Sequence, residues 1–363
     1  MAVEGRPGCL HDERYAELST KKHITNPWIV AGLVVLLLAT VVGSSFLGAV
    51  DINVSDLLDE IRLWFDYYFR GNDDIDPAGL RTLWFFVQLR LPRIIMCVLV
   101  GSVLSVCGAA YQSIFRNPLT DPYVLGVSSG ASLGAAVAIL LGLEAFLWGV
   151  GGMALAAALL TVLLIYKIAS IGNRMHTTTL LLTGVCLTLL ISAVISFLMV
   201  LNQEKMDSII FWTMGSFGSS SWTDVWMMLP VAVVGMGVVL WYSRDLNLLL
   251  AGSEAAQSMG CEVEKVKRVL LLFTTLMVAF AVSSCGVIGF VGLIVPHAVR
   301  LVAGPDNRRV VPYAMLCGAI FVLLCDTLAR TLLRPSELPV GSLTSMVGAP
   351  LFIYLLYKNK KGY

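Results

Sequence analysis

Few residues of this chain are of types that could do covalent or metal chemistry, and their spacing argues against both. The four histidines are His11, His23, His176 and His297. His297 follows Pro296 inside an apolar run, with no second histidine or carboxylate at the spacing a zinc site needs, so it reads as a packed or hydrogen-bonded residue. The eight cysteines (Cys9, Cys97, Cys107, Cys186, Cys261, Cys285, Cys317 and Cys325) contain no C-x-x-C and fall mostly in apolar runs, as small hydrophobes do. No P-loop, G-x-S-x-G, H-E-x-x-H or C-x-x-C-H signature is present. The sequence therefore offers no catalytic residue, no cofactor site and no metal site.

What polar chemistry there is sits among apolar residues. Asp326 precedes Arg330 by four positions, the favourable order for a helical ion pair, and local pairing is expected to neutralise both, with the Arg330 head reaching the outer surface. Arg116-Asn117-Pro118-Leu119-Thr120-Asp121-Pro122 interrupts two apolar runs with too few residues for an ordinary loop, and its prolines prevent helix continuation. Irregular backbone at membrane depth must be buried in protein or line a cavity. A tight turn and a gate both remain open.

The elements that position these residues follow from composition. The 363 residues are 57% hydrophobic and 13% charged, with a mean hydropathy of +0.82, whereas soluble domains carry about a quarter charged residues. A soluble domain of any size is excluded. The net charge of +1 leaves no face for nucleic acid. Since a span needs roughly 20 apolar residues, the runs near 27–50, 93–115, 121–142, 145–166, 178–201, 223–243, 267–285, 286–303, 310–330 and 339–357 predict ten transmembrane helices, an all-α polytopic protein. Placing both termini in the cytoplasm puts 17 of the 25 lysines and arginines inside, as the positive-inside rule requires. The mixed-charge tail 1–26 is unlike a cleaved signal peptide. The segment 51–88 carries eight acids and a weakly amphipathic pattern, predicting an outer loop with interfacial helices. Glycines at 126, 130 and 134, and Gly101, Ser105 and Gly108, predict close helix packing.

Several blocks carry a resemblance: Gln88-Leu89-Arg90-Leu91-Pro92-Arg93, Gly108-Ala109-Ala110-Tyr111-Gln112, Arg116 to Pro122, Leu125-Gly126-Val127-Ser128-Ser129-Gly130-Ala131, Trp212-Thr213-Met214-Gly215-Ser216-Phe217, Gly289 to His297 with Arg300, Asp326 to Arg330, and Glu337 to Thr344 followed by Gly348-Ala349-Pro350. Together, over about residues 27–357, they closely resemble the permease subunits of type II ABC importers for iron-siderophores, haem and cobalamin, the FecCD/BtuC-type family. The resemblance implies ten helices per subunit, a second permease subunit (identical or related), two cytoplasmic ABC ATPases holding ATP and Mg, and an extracytoplasmic substrate-binding protein. It implies no cofactor on this chain, no enzymatic activity of its own, and a place among the lipids of the cytoplasmic (inner) membrane of a prokaryote.

The same resemblance assigns roles to residues. Asn117, Pro118, Leu119, Asp121 and Pro122, with His176, Thr177, Thr178 and Thr179, correspond to two cytoplasmic gate loops. Gly252, Ser253, Glu254, Ala255, Ala256 and Gly260 correspond to the coupling segment (244–266) that docks on the ATPase; many relatives carry an acid where Ser253 stands. Arg90, Arg93 and Arg330 correspond to outward arginines that accept glutamates of the binding protein, work to which a permanently charged, bidentate guanidinium is suited. Interfacial anchoring is the other reading of Arg90 and Arg93. The layout implied is a tail 1–26, a permease domain 27–357 with an outer loop 51–92, and a tail 358–363. The acidic insert Asp73-Asp74-Ile75-Asp76-Pro77, Asn307 where relatives often have histidine, and the extension before Pro27 depart from the family pattern. A ferric siderophore is the expected cargo, with cobalamin and haem as alternatives. An ion-coupled carrier would need a midplane ion site, and a membrane enzyme would need converging acid, base or metal groups; neither is evident.

Overall fold

The computed structural model describes residues 26–48, 53–70, 80–146, 148–171, 174–175 and 177–358. His11, His23, His176 and the acidic insert lie outside the described residues. The helices are α1 (Pro27–Phe46), α2 (Val54–Arg70), α3 (Arg81–Phe85), α4 (Leu91–Ile114), α5 (Val127–Leu140), α6 (Gly149–Ala169), α7 (Thr177–Leu201), α8 (Met206–Thr213), α9 (Trp222–Trp241), α10 (Ser243–Leu250), α11 (Ser253–Ser258), α12 (Val263–Cys285), α13 (Val291–Ala303), α14 (Asn307–Thr331) and α15 (Val340–Lys358). One antiparallel pair of two-residue strands, Ser170–Ile171 with Arg174–Met175, precedes α7. Each of the ten expected apolar runs carries a helix. Among the described residues, seven helices are long and apolar enough to cross a membrane; Val127–Leu140, Val291–Ala303 and Val340–Leu355 are shorter.

The second of the seven starts earlier than the sequence suggested. It runs from Arg81 to Ile114, 34 residues, and so takes its first turns from the expected outer loop. The reason lies at Pro92, which has no amide proton to give. Residues Phe86–Arg90 form a π turn in which Leu91 N–H reaches Phe86 O, a local widening that lets the helix pass the proline. In that register Pro92 would serve Val87 O. The indole Nε1–H of Trp222 donates to that carbonyl instead, at 2.9 Å.

This long helix is the axis of the fold. Its most apolar window is 83% buried, and α4 packs against α14, α13, α9 and α12. Helix α12 also reaches α6 and α5, joining α4 and its neighbours to a second group made of α5, α6, α7 and α8. Lipid is as apolar as leucine, so these helices are not driven together by the hydrophobic effect; close van der Waals contact must do it. At Gly101 a side chain would strike the backbone of Gly318, and at Gly108 the carbonyl of Gly292. That carbonyl has no helical donor, because Pro296 stands four residues on. Gly130 and Gly134 similarly admit Thr161 and Met153 of α6. Gly126 differs from its expected packing role: with φ of 69° it caps α5.

The consequence is testable by paired substitutions. Gly108→Ala places a methyl against backbone that cannot swing away, and is expected to destabilise the protein by about 2 kcal/mol or more. Gly32→Ala, with nothing within 4 Å of the new atom, is expected to be neutral or stabilising by up to about 1 kcal/mol. Thermal unfolding of the purified protein in mild detergent reads both.

Candidate functional site

At one end of the bundle the arginines converge. Arg93 donates from Nε and Nη2 to both oxygens of Asp326 at 2.9–3.2 Å, and from Nη1 to both oxygens of Glu337 at 2.9–3.1 Å. Arg330 Nε lies 2.9 Å from Asp326 Oδ2. The Arg330 Nη2 group donates to Ser44 Oγ at 2.7 Å, and Arg90 Nη1 donates to Ser45 O at 2.7 Å. Asp326 is fully buried and all three arginines are buried. The last carbonyls of α1 have no helical donors, and cations at a helix C-terminus suit both the carbonyls and the dipole. Arg90 and Arg330 thus close α1, while Asp326 holds α4 against α14.

This corrects one expectation and bears out another. Asp326 does pair with Arg330 in the helical i, i+4 relation, yet the Arg330 head is buried rather than outward. None of the three guanidinium groups projects as a free docking point. A buried guanidinium demands a counter-charge, and Asp326, Glu337 and the end of α1 supply it within the chain. Glu337, with its side chain 33% exposed, is where the cluster meets solvent.

Deeper in the bundle two irregular segments meet. After α4 the chain turns through Asn117, whose Oδ1 accepts from Leu119 N, and Asp121, whose Oδ1 accepts from Tyr123 N. Pro122 then packs on Gly292, beside Leu104 O. Leu104 lies ten residues before the end of α4, about 15 Å up the helix at 1.5 Å per residue. The segment therefore runs back alongside α4 before α5 begins, which is why α5 is short. Opposite it, the chain between α12 and α13 unwinds over 286–290, with φ positive at Gly286 and Phe290. Tyr123 Oη donates to Ile288 O at 3.0 Å and accepts from Ile288 N at 3.3 Å. One phenol thus serves both polar groups of an unwound residue. Sequence reading singled out Asn117 to Pro122 and missed Tyr123, whose only signal was its place beside Pro122. Leu119 is exposed and Pro118 half-buried. Thr177, Thr178 and Thr179 form the first turn of α7, outside this contact.

At the opposite end from the arginines, α10 and α11 form a hairpin leading to α12. Gly252, at φ of 114°, caps α11 and sits against Arg116, the first residue of the irregular segment that follows α4. Ser253 Oγ accepts from Lys267 Nζ at 3.3 Å. Gly252 and Ala256 face the protein and Ala255 is half-buried, while Glu254, Gln257, Met259 and Gly260 are exposed. The six residues expected to dock thus divide: Gly252, Ser253 and Ala256 fasten the hairpin, Ala255 lies between, and Glu254 and Gly260 lie on its free surface. Below it, Asn247 joins Asp306 and Asn307. Burial pushes the Asp306 carboxyl up, but hydrogen bonds from Arg308 and Asn247 outweigh it and hold the group below the usual carboxylate range.

One further feature was not foreseen. A cavity of about 690 Å³ opens beside the start of α9 and the end of α12, lined by hydroxyls and rings including Ser219, Thr223, Ser284, Trp148 and Trp212, with Asp224 among them. The triplet Ser219-Ser220-Ser221 was its sequence signal. His297 is packed edge-on against Phe352, as expected of a residue without ligand partners. Among the described residues no three histidines, cysteines or carboxylates could share a metal ion.

A bundle of apolar helices, seven of the described ones long enough to cross a membrane, with irregular elements buried at depth, is the architecture of a polytopic membrane protein. The particular kind is fixed by comparison: residues 35–358 match the FecCD transport family, and the chain belongs to that family. It is an ABC importer permease; such subunits are not catalytic, and the ATPase is a separate subunit. The chain is 47% identical over 268 residues to the cobalamin import system permease protein BtuC of Halobacterium salinarum, covering 74% of this chain and 72% of that one. It is 39% identical over 307 residues to the uncharacterized ABC transporter permease protein YvrB of Bacillus subtilis, covering 83% and 86%. To the vitamin B12 import permease BtuC of Escherichia coli it is 37% identical over 301 residues, covering 82% and 90%. An inward-facing structure of a metal-chelate type ABC transporter superposes with a TM-score of 0.78 at 33% identity, over 92% of this chain and all of that one.

The charge cluster yields a contrast. Asp326→Asn leaves Arg93 and Arg330 buried beside a neutral amide and is expected to destabilise the protein by about 3–5 kcal/mol. Glu337→Gln, at the solvent edge, is expected to cost no more than about 1 kcal/mol. Detergent-phase thermal melts of the two variants check the order.

Proposed function

We propose that this permease carries a cobalt corrinoid across the cytoplasmic membrane of a prokaryote, crossing it ten times with both termini in the cytoplasm. The observation that carries the substrate is the 47% identity with a permease named for cobalamin import. The hydroxyl- and ring-lined cavity near Trp212 suits an amide-rich ligand that must be passed on rather than held. A ferric siderophore is the second reading, favoured by the likeness to a metal-chelate transporter.

In this reading the arginine end faces outward and the hairpin end faces the cytoplasm. Two ATPase subunits, holding ATP and Mg, receive the exposed surface of α11 through Glu254, Gln257 and Met259. A second permease subunit covers the unpartnered apolar faces of α7 and α15, where Leu189, Phe197, Met346 and Tyr354 are exposed. Asn117 to Pro122 and His176 to Thr179 act as the cytoplasmic gates. The binding protein docks outside, where one of its carboxylates would take the place of Glu337 on Arg93; Arg90 and Arg330 keep that site cationic. ATP binding then shifts a two-state equilibrium between outward and inward openings.

Capture of the tagged chain from its native membrane is expected to bring down an ABC ATPase in equal numbers. Met259→Cys is expected to cross-link to that ATPase through a short bifunctional reagent. Reconstituted with the ATPase and binding protein, the complex is expected to take up radiolabelled cyanocobalamin only with ATP, and ferric hydroxamate is expected not to compete. Uptake of the ferric chelate in place of cyanocobalamin would select the second reading; uptake without nucleotide would remove both.

A further inference from the structure

One amide side chain ties the hairpin to the start of α14. Asn247 lies on α10, whose Leu246 and Leu249 are buried in the core and fix the helix to the bundle. Its Nδ2 donates to Asp306 Oδ1 at 2.6 Å, and its Oδ1 accepts from Asn307 N at 2.8 Å. Both bonds fall at the first residues of α14, where Asp306 is also the N-cap, accepting from Arg308 N at 3.0 Å. The amide offers a donor and an acceptor in one fixed plane, and both are used here.

The connection continues inward. Asn307 is wholly buried, and its Oδ1 accepts from Ser113 Oγ of α4 at 3.1 Å and from Arg300 Nη2 of α13 at 2.9 Å. Arg300 Nη2 also donates to Ser113 Oγ and Ala109 O, and Nη1 donates to Pro305 O. Four helices, α10, α14, α13 and α4, are thereby joined through five side chains. Two donors within this cluster, Asn307 Nδ2 and Arg300 Nε, are buried and make no hydrogen bond. A buried donor without a partner is unusual and costly.

We propose that Asn247 is the positioning residue through which movement of the cytoplasmic hairpin reaches α14 and, through Asn307 and Arg300, the α4 and α13 helices that carry the two irregular segments. This rests on the reading of the hairpin as the ATPase contact.

The test reverses one hydrogen bond. Asn247→Asp sets two carboxylates face to face and removes the Nδ2 donor. Asn247→Asp combined with Asp306→Asn restores the pair with donor and acceptor exchanged and net charge unchanged; asparagine caps helices as well as aspartate does. In the full complex with ATPase and binding protein in proteoliposomes, the single variant is expected to assemble, to hydrolyse ATP within about twofold of wild type, and to lose about tenfold in cyanocobalamin taken up per ATP. The double variant is expected to recover to within about twofold. Unchanged uptake per ATP in the single variant, no recovery in the assembled double variant, or failure of the single variant to assemble would each overturn the proposal. The Met259→Cys cross-link in the same complex reports separately on the hairpin: its absence would remove the ATPase contact whatever the swap does.

Discussion

Every polar group placed among these apolar helices has to find its partner inside the protein, and much of the structure is the working out of that demand. Water satisfies a stray carbonyl at no structural cost in a soluble protein; within hydrocarbon the same group costs several kcal/mol. Pro92 deprives Val87 O of its donor, and an indole from α9 replaces it. Residues 286–290 leave helical geometry, and a single phenol serves both groups of Ile288. Helix α1 ends with bare carbonyls, and two arginines close it. In each case the partner comes from an element distant in sequence, so local irregularity and tertiary structure specify one another.

Glycine does the complementary work. Where a polar group is absent, helices gain only from close contact, and Gly101 against Gly318 or Gly108 against Gly292 brings backbones to distances no side chain allows. These contacts fix α4 as a rigid axis, against which broken segments on either side have defined positions. An irregular segment on a loose scaffold would have many arrangements; on this one it has few.

The helices were largely legible because hydrophobic runs and prolines act locally. The ten runs and the pairing of Asp326 with Arg330 need only spacing to be seen. The early start of the second span was not legible, since a π turn around Pro92 depends on Trp222, 130 positions away. The inward turn of Arg90, Arg93 and Arg330 was hidden for a similar reason: sequence shows the charges, but not that Asp326, Glu337 and the end of α1 would converge on them. Tyr123 and Asn247 carried no signal of their own, because one phenol or amide among many becomes special only through the backbone it meets. Family resemblance pointed to segments around both residues without singling out either.

The two ends of the bundle solve the same problem in opposite ways. The arginine cluster is densely paired, with Asp326 serving two guanidinium groups and Glu337 sealing the solvent edge. Breaking any inner contact there strands a charge, so this end resists rearrangement. The cluster around Asn307 holds one arginine among an amide, a hydroxyl and carbonyls, with no carboxylate shared between two cations. The two ends thus differ in the kind of contact that holds them, shared carboxylates at one and neutral hydrogen bonds about a single arginine at the other.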